Sequence, residues 1–128
     1  MTEETIKEIV QVHGDHGGFD VVTSEQRIEL RIDNQSGCCE RWGYFWTNDE
    51  TKEFIGARVL GVTLADAALS TKRLDEAEPG GLDCGGTMFV NIETDRGVLQ
   101  FTAYNSHNGY YGHEASVRSK QLNHEETL

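Results

Sequence analysis

The sequence has no apolar run approaching the length of a membrane span, and its first residues lack the basic charge that begins a secretory signal. Positive charge is scarce throughout, because 11 basic residues stand against 22 acidic ones and give a formal net charge of −11. Such a chain is repelled by nucleic-acid backbones and anionic membranes. We therefore expect a cytoplasmic protein that acts on neither, although an acidic protein can also imitate DNA toward a basic partner.

Cysteine is also scarce, and its spacing argues against a metal centre. The three cysteines are an odd number, and Cys38 and Cys39 are adjacent, so reduced thiols are expected rather than a disulfide framework. There is no Cys-x-x-Cys pair, and adjacent cysteines rarely both reach one tetrahedral ion. The sequence therefore predicts no metal and no cofactor.

Catalytic signatures are weak in this chain. It contains no phosphate-binding Walker loop and no dinucleotide glycine fingerprint. A cysteine nucleophile at Cys38 or Cys39 with His107 or His113 as its base remains an alternative, since nothing in the spacing tests whether these residues meet. The absence of a convincing catalytic set favours a binding protein over an enzyme.

Length and strand patterns indicate a single domain built mainly from antiparallel strands. The 128 residues suffice for one hydrophobic core. Residues 27–33 alternate strictly between charged and apolar side chains, which predicts a strand with Ile28, Leu30 and Ile32 toward the core. The opposite face, with Arg27 and Arg31, is either solvated or meets a phosphate or a second subunit. Residues 87–94 and 98–104 flank Asp-Arg-Gly and predict a β-hairpin.

Two helices are also predicted. Thr47 and Glu50 form a capping-box pattern for a short helix ending at Gly56, after a crowded aromatic loop, and Asp66 is positioned to cap a second helix over 67–76. The sequence thus predicts an α+β fold, with a mostly antiparallel sheet of about six or seven strands and one or two short helices on one face. The domain is expected to cover residues 1–122, and residues 123–128 are expected to form a polar C-terminal tail.

A polar and aromatic turn near the end of the chain is the strongest candidate for a recognition site. It follows a strand, and glycines on each side of its tyrosine pair allow the backbone to approach a ligand closely. Amide and imidazole groups read hydrogen-bonding edges, and phenol rings offer stacking faces. The turn contributes Asn105, His107, Asn108, Tyr110 and Tyr111 as candidate ligand-binding residues. The alternative is a hairpin turn whose tyrosines only cover the edge of the sheet.

Other candidate ligand-binding residues come from outside this turn. Aromatic side chains suited to stacking on a planar ligand are Trp42, Tyr44 and Phe89, and arginines suited to an anionic group are Arg58 and Arg118. Most of the aromatics would otherwise serve as core residues. No catalytic residue is assigned.

Two segments, Ser36–Phe45 and Met88–Glu114, resemble those of small proteins carried by bacterial viruses and prophages. Within that group the chain resembles the anti-Thoeris sponge proteins, which bind a cyclic ADP-ribose isomer made by a bacterial immune enzyme and sequester it without cleaving it. The resemblance implies an antiparallel sheet with two helices and self-association into dimers or larger homo-oligomers with pockets between subunits. It also implies a cyclic nucleotide signal, in some members a cyclic oligonucleotide, as the partner in the infected host's cytoplasm. It transfers no individual binding residue.

Overall fold

The computed structural model describes residues 3–14, 16–33, 41–46, 48, 50–65, 85–106 and 113–128. These residues form nine β-strands in two antiparallel sheets, of five and four strands. None of the helices in the described part is long and apolar enough to cross a membrane.

The first sheet has the strand order β1-β2-β3-β8-β9. Its strands are β1 (Ile6–Val12), β2 (His16–Thr23), β3 (Arg27–Asp33), β8 (Glu114–Arg118) and β9 (Asn123–Thr127). The alternation predicted for β3 is confirmed, because Ile28, Leu30 and Ile32 are fully buried and the charged residues between them are not. This sheet therefore has an apolar face toward the core and a charged outer face.

The second sheet has the strand order β4-β7-β6-β5. Its strands are β4 (Arg41–Trp46), β5 (Val59–Ala65), β6 (Gly85–Thr94) and β7 (Gly97–Ser106). The hairpin predicted between β6 and β7 is confirmed, and Gly97 adopts the positive φ of 122° that its turn requires. The Thr94 hydroxyl donates to the Gly97 carbonyl at 2.7 Å and thereby closes the turn.

The core lies between the two sheets. Their inner faces contribute to one continuous apolar cluster, in which Phe101 of β7 is fully buried. The Phe19 ring of β2 lies 6.2 Å from the Phe101 ring and 5.0 Å from the Trp46 ring, measured between centroids. The two sheets therefore form a β-sandwich whose halves are joined by aromatic packing.

The helix predicted between Thr47 and Gly56 is wrong. Thr51–Phe54 forms a single turn of 3-10 helix, and the Glu50 side chain makes no capping hydrogen bond. The Arg96 guanidinium donates to the Glu53 and Ile55 carbonyls, both at 2.8 Å, and so satisfies them without another helical turn. A longer helix would lose these tertiary contacts and offers little stability by itself. The second predicted helix, over 67–76, lies outside the described residues.

Two segments that the sequence did not predict to be strands do form strands. The aromatic segment expected to be a loop contains β4, because Trp42, Tyr44 and Trp46 alternate toward the core while the backbone pairs with β7. The expected polar tail contains β9, which pairs with β8 through main-chain hydrogen bonds that require no apolar side chains. Leu128 after it is 5% exposed and belongs to the core. The described residues thus have more strands than the six or seven predicted.

Residues 13–18 include three glycines, a composition that predicts a turn, but the turn is shorter than this pattern indicates. Strand β2 already begins at His16, and Gly17 and Gly18 pair with β3. Glycine was interpreted as a turn signal, whereas here it permits close approach of neighbouring groups within a sheet.

Candidate functional site

A cavity of about 320 Å³ lies on the charged outer face of the first sheet, and we call it the arginine groove. Its lining residues are His16, Arg31, Glu114, Ser116, Arg118 and Glu125. They come from four strands, since the pairing of β3, β8 and β9 sets Arg31 beside Ser116 and Ser116 beside Glu125. Strand register therefore assembles this groove from positions more than 90 residues apart in sequence.

Arg31 is a fixed element of the groove. Its guanidinium forms a 2.6 Å ion pair with Asp20 and donates to the Phe19 and Leu30 carbonyls at 3.1 Å. Asp20 also pairs with Arg27, so this carboxylate, whose side chain is 5% exposed, is balanced by two arginines. Arg31 consequently supplies positive charge at a set position but has few donors left for a ligand.

Arg118 is the more available cation. Its side chain is 60% exposed, and its ion pair with Glu125 has a long N–O distance of 3.6 Å. Exposed ion pairs of this kind contribute little free energy. The guanidinium is therefore able to reorient toward an anion without a large loss.

Two carboxyl groups, Glu114 and Glu125, meet at the edge of this groove. A hydrogen bond between them, and then their like charge, raises the pKa of Glu114 above its ordinary value. Asp33 acts in the same direction, whereas His16 lowers the pKa. The Glu114 carboxyl therefore binds a proton more readily than an ordinary glutamate does.

Replacing Glu125 by glutamine is expected to lower the pKa of Glu114 toward 4.5, because an amide removes the like charge and donates to the carboxylate. A pKa that is raised on folding stabilises the fold below the unfolded-state pKa, and this contribution is lost as pH rises through the raised value. NMR titration of the side-chain carboxyl carbons measures the shift. The control is Glu29→Gln on the same sheet face, which should leave Glu114 unchanged. An unaltered Glu114 pKa in Glu125→Gln would exclude Glu125 as the cause of the raised pKa.

A second cavity of about 320 Å³ lies where β1 and β2 of one sheet face β4 of the other, and we call it the aromatic cleft. It is lined by Gln11, Phe19, Tyr44, Phe45, Trp46, Asn48 and Thr51. The Phe19 and Tyr44 rings meet edge to face with their centroids 5.6 Å apart, and Gln11 Nε2 donates to the Tyr44 hydroxyl at 3.1 Å. The cleft is thus shaped by side chains that hold one another in place.

Asn48, another residue of the cleft lining, is held by two hydrogen bonds. Its amide donates to the Val98 carbonyl and accepts from the Gln100 N–H, both at 2.8 Å. In contrast, the Trp46 indole N–H is buried and has no acceptor within the described residues. Buried polar groups normally have a partner, which makes this donor unusual.

The structure distributes the predicted site residues among several places. Arg118 lines the arginine groove and Tyr44 lines the aromatic cleft. Arg58 lines neither cavity; it pairs with Glu3 at 2.9 Å. Phe89 is 6% exposed on β6, a burial that favours packing over ligand contact.

Trp42 and Asn105 are register partners on β4 and β7, and both have structural contacts. The Trp42 ring stacks on His113 with centroids 5.0 Å apart, and His113 Nδ1 lies 2.7 Å from the Asp33 carbonyl oxygen. Asn105 is fully buried and donates to the Leu128 carbonyl at 2.9 Å. These contacts hold the strand that leads into the predicted turn. The turn residues His107, Asn108, Tyr110 and Tyr111 lie outside the described residues.

Sequence reasoning missed the residues that surround Arg118 and Tyr44. Those missed in the groove are His16, Glu114, Ser116 and Glu125, and those missed in the cleft are Gln11, Phe19, Phe45, Trp46, Asn48 and Thr51. For Arg31, the charge alternation of residues 27–33 allows a phosphate contact as one of its alternatives. The only sequence signal for the others is strand parity, which becomes informative once the strand order is known.

The described part of the chain is thus an antiparallel β-sandwich with one charged and one aromatic cavity, and within it no three His, Cys, Asp or Glu residues are grouped to hold a metal ion. The chain belongs to the family described as a domain of unknown function, DUF7448, whose model matches residues 3–117. Neither a comparison with curated proteins nor one with solved structures gave a match.

Proposed function

We propose that this protein binds a small cyclic nucleotide signal at the arginine groove and sequesters it without cleavage. The observation that carries the proposal is the placement of Arg118, an exposed arginine with one long ion pair, beside Arg31 in a cavity of ligand size. Ligand pockets typically occupy about 300–1,000 Å³. The resemblance to anti-Thoeris sponge proteins supports a cyclic ADP-ribose isomer as the first ligand to test.

The groove chemistry matches the parts of such a ligand. A diphosphate suits a guanidinium, which binds phosphate oxygens through paired N–H donors. Ribose hydroxyls are donors, and the Glu114 and Glu125 carboxyl oxygens accept from donors of this kind. The net charge of −11 opposes an anionic ligand at long range, but salt screens that repulsion beyond about 8 Å. Local contacts then govern the affinity.

Sequestration is tested by recovery of the ligand. The protein is incubated with the cyclic ADP-ribose isomer, denatured by heat, and the released small molecule is analysed by mass spectrometry. We expect the intact cyclic compound. A linear or hydrolysed product would replace sequestration with hydrolysis, for which the Glu114–Glu125 pair would be the acid and base to examine.

Replacing Arg118 by alanine is expected to weaken binding of this ligand by about 1.5–3 kcal/mol, because a charge-assisted hydrogen bond is lost. The melting temperature of the free protein should hardly change, since the side chain is 60% exposed. Isothermal titration calorimetry measures the affinity.

The matched control is Lys120→Ala. Lys120 is an exposed cation two residues after Arg118, and its backbone N–H donates to Gln26 Oε1, a bond that the substitution leaves intact. Its variant should bind normally. Normal binding of the cyclic nucleotide by Arg118→Ala would show that the groove is not the site. Tight, salt-sensitive binding of a basic nucleic-acid-binding protein instead of the nucleotide would favour an acidic inhibitor.

A further inference from the structure

The aromatic cleft differs from the arginine groove in charge. None of the seven residues that line the cleft is charged, in a chain whose formal net charge is −11. Four of the six groove residues, in contrast, are arginines or glutamates. Because burial of a charge requires a partner of opposite sign, the cleft suits an uncharged group and the groove an ionised one.

The cleft also has a hydrogen-bond donor without an acceptor. Trp46 is 6% exposed, and its indole N–H has no acceptor in the part of the chain that the structure describes. This nitrogen has less than 1 Å² of accessible surface, although Trp46 lines the cavity, so an occupant meets the indole ring and not its N–H.

Gln11 provides a polar group for the occupant. Its Nε2 donates to the Tyr44 hydroxyl at 3.1 Å, which leaves one amide N–H and Oε1 for another partner. Gln11 is exposed at the mouth of the cleft, whereas Trp46 is buried. The cleft thus combines an exposed amide with aromatic rings.

We propose that the aromatic cleft is a binding site for the uncharged base of an aminopurine, separate from the arginine groove. An adenine-type base matches the Gln11 amide, because a Gln side chain pairs with the exocyclic amino group and the ring N7 of adenine. Its flat face stacks on the cleft aromatics, as bases do on Tyr and Phe. A nucleoside fits this cavity, and phosphate finds no cation in its lining.

The test uses adenosine, which has no phosphate, and the two indole N–H signals of the ¹⁵N-labelled protein. Trp46→Phe assigns the signals, because Trp42 and Trp46 are the only tryptophans. Adenosine added up to about 5 mM, a range that detects weak millimolar binding, should move the Trp46 signal and leave that of Trp42 in place. An unmoved Trp46 signal, or equal shifts of both, would overturn the proposal.

Variants separate this site from the groove. Gln11→Ala and Tyr44→Ala should each weaken adenosine binding, the latter about tenfold through lost stacking. The control is Val10→Ala, on the opposite face of β1, which should bind as the wild type does. Gln11 is exposed, so its variant tests the cleft even if Tyr44→Ala fails to fold. Adenosine binding lost in Arg118→Ala but unchanged in Gln11→Ala would place the base in the arginine groove and overturn the separate site.

Discussion

Gly18→Ala is expected to lower the free energy of unfolding by at least about 4 kcal/mol, an effect that few single substitutions reach. Gly18 has a φ of 149°, and an added Cβ would lie 1.8 Å from the Leu30 carbonyl oxygen. That oxygen belongs to the backbone of β3, which pairs with β2 at this point, so it cannot move without breaking the sheet. The arginine groove would be lost as well, because Arg31 is the register partner of Gly18. Urea denaturation followed by circular dichroism measures the change.

Gly14→Ala separates the two effects of the Gly18 substitution, namely the steric clash of the added Cβ and the backbone strain of a positive φ. Gly14 has a similar φ of 137°, but an added Cβ would meet nothing within 4 Å. The backbone strain alone is expected to lower the free energy of unfolding by about 1–3 kcal/mol. Equal stability of the Gly14 and Gly18 variants would show that β2 and β3 do not approach each other as described.

Phe101→Ala is expected to lower the free energy of unfolding by about 3–5 kcal/mol, since it removes a large core side chain and leaves a cavity. Phe101 is fully buried, and its ring centroid lies 6.2 Å from that of Phe19 and 5.8 Å from that of Trp46. It therefore joins the two sheets beneath the aromatic cleft. A lower denaturation midpoint with an unchanged denaturant slope is the expected signature.

Leu60→Ala is the control for this prediction. Leu60 is 59% exposed on β5, so its truncation should change the stability by no more than about 0.5 kcal/mol. Similar losses in the two variants would mean that the apolar contacts between the sheets do not dominate the stability. Adenosine binding by folded Phe101→Ala should also weaken, because the cleft rings lose their support.

The two cavities connect the fold to the proposed functions in different ways. The arginine groove depends on the pairing of β3 with β8 and of β8 with β9, and it lies on one face of one sheet. The aromatic cleft depends on how the two sheets meet, since Phe19 and Tyr44 come from opposite sheets. Substitutions in one cavity should therefore leave the other able to bind, which makes the two proposals separable.

Local patterns predicted the strands that alternate clearly and the hairpin between β6 and β7. Strand β3 was found because each second residue is apolar, and the hairpin because Asp95, Arg96 and Gly97 favour a tight turn. The helix at Thr51 was overpredicted, because a capping pattern contains no information about Arg96, which satisfies its carbonyls from another turn. Strand β9 was missed because main-chain pairing with β8 compensates for its polar composition.

The sequence alone was sufficient to identify the acidic charge, the mainly antiparallel architecture, and Arg118 and Tyr44 as residues of interest, because composition and two-residue alternation are local properties. It was not sufficient to find the partners of either residue. His16, Arg31 and Glu125 meet Arg118 only because β2, β3, β8 and β9 are neighbours in one sheet, and Gln11 meets Tyr44 only because two sheet edges face each other. Those neighbours are set by strand order and packing, which are non-local contacts that tertiary structure alone establishes.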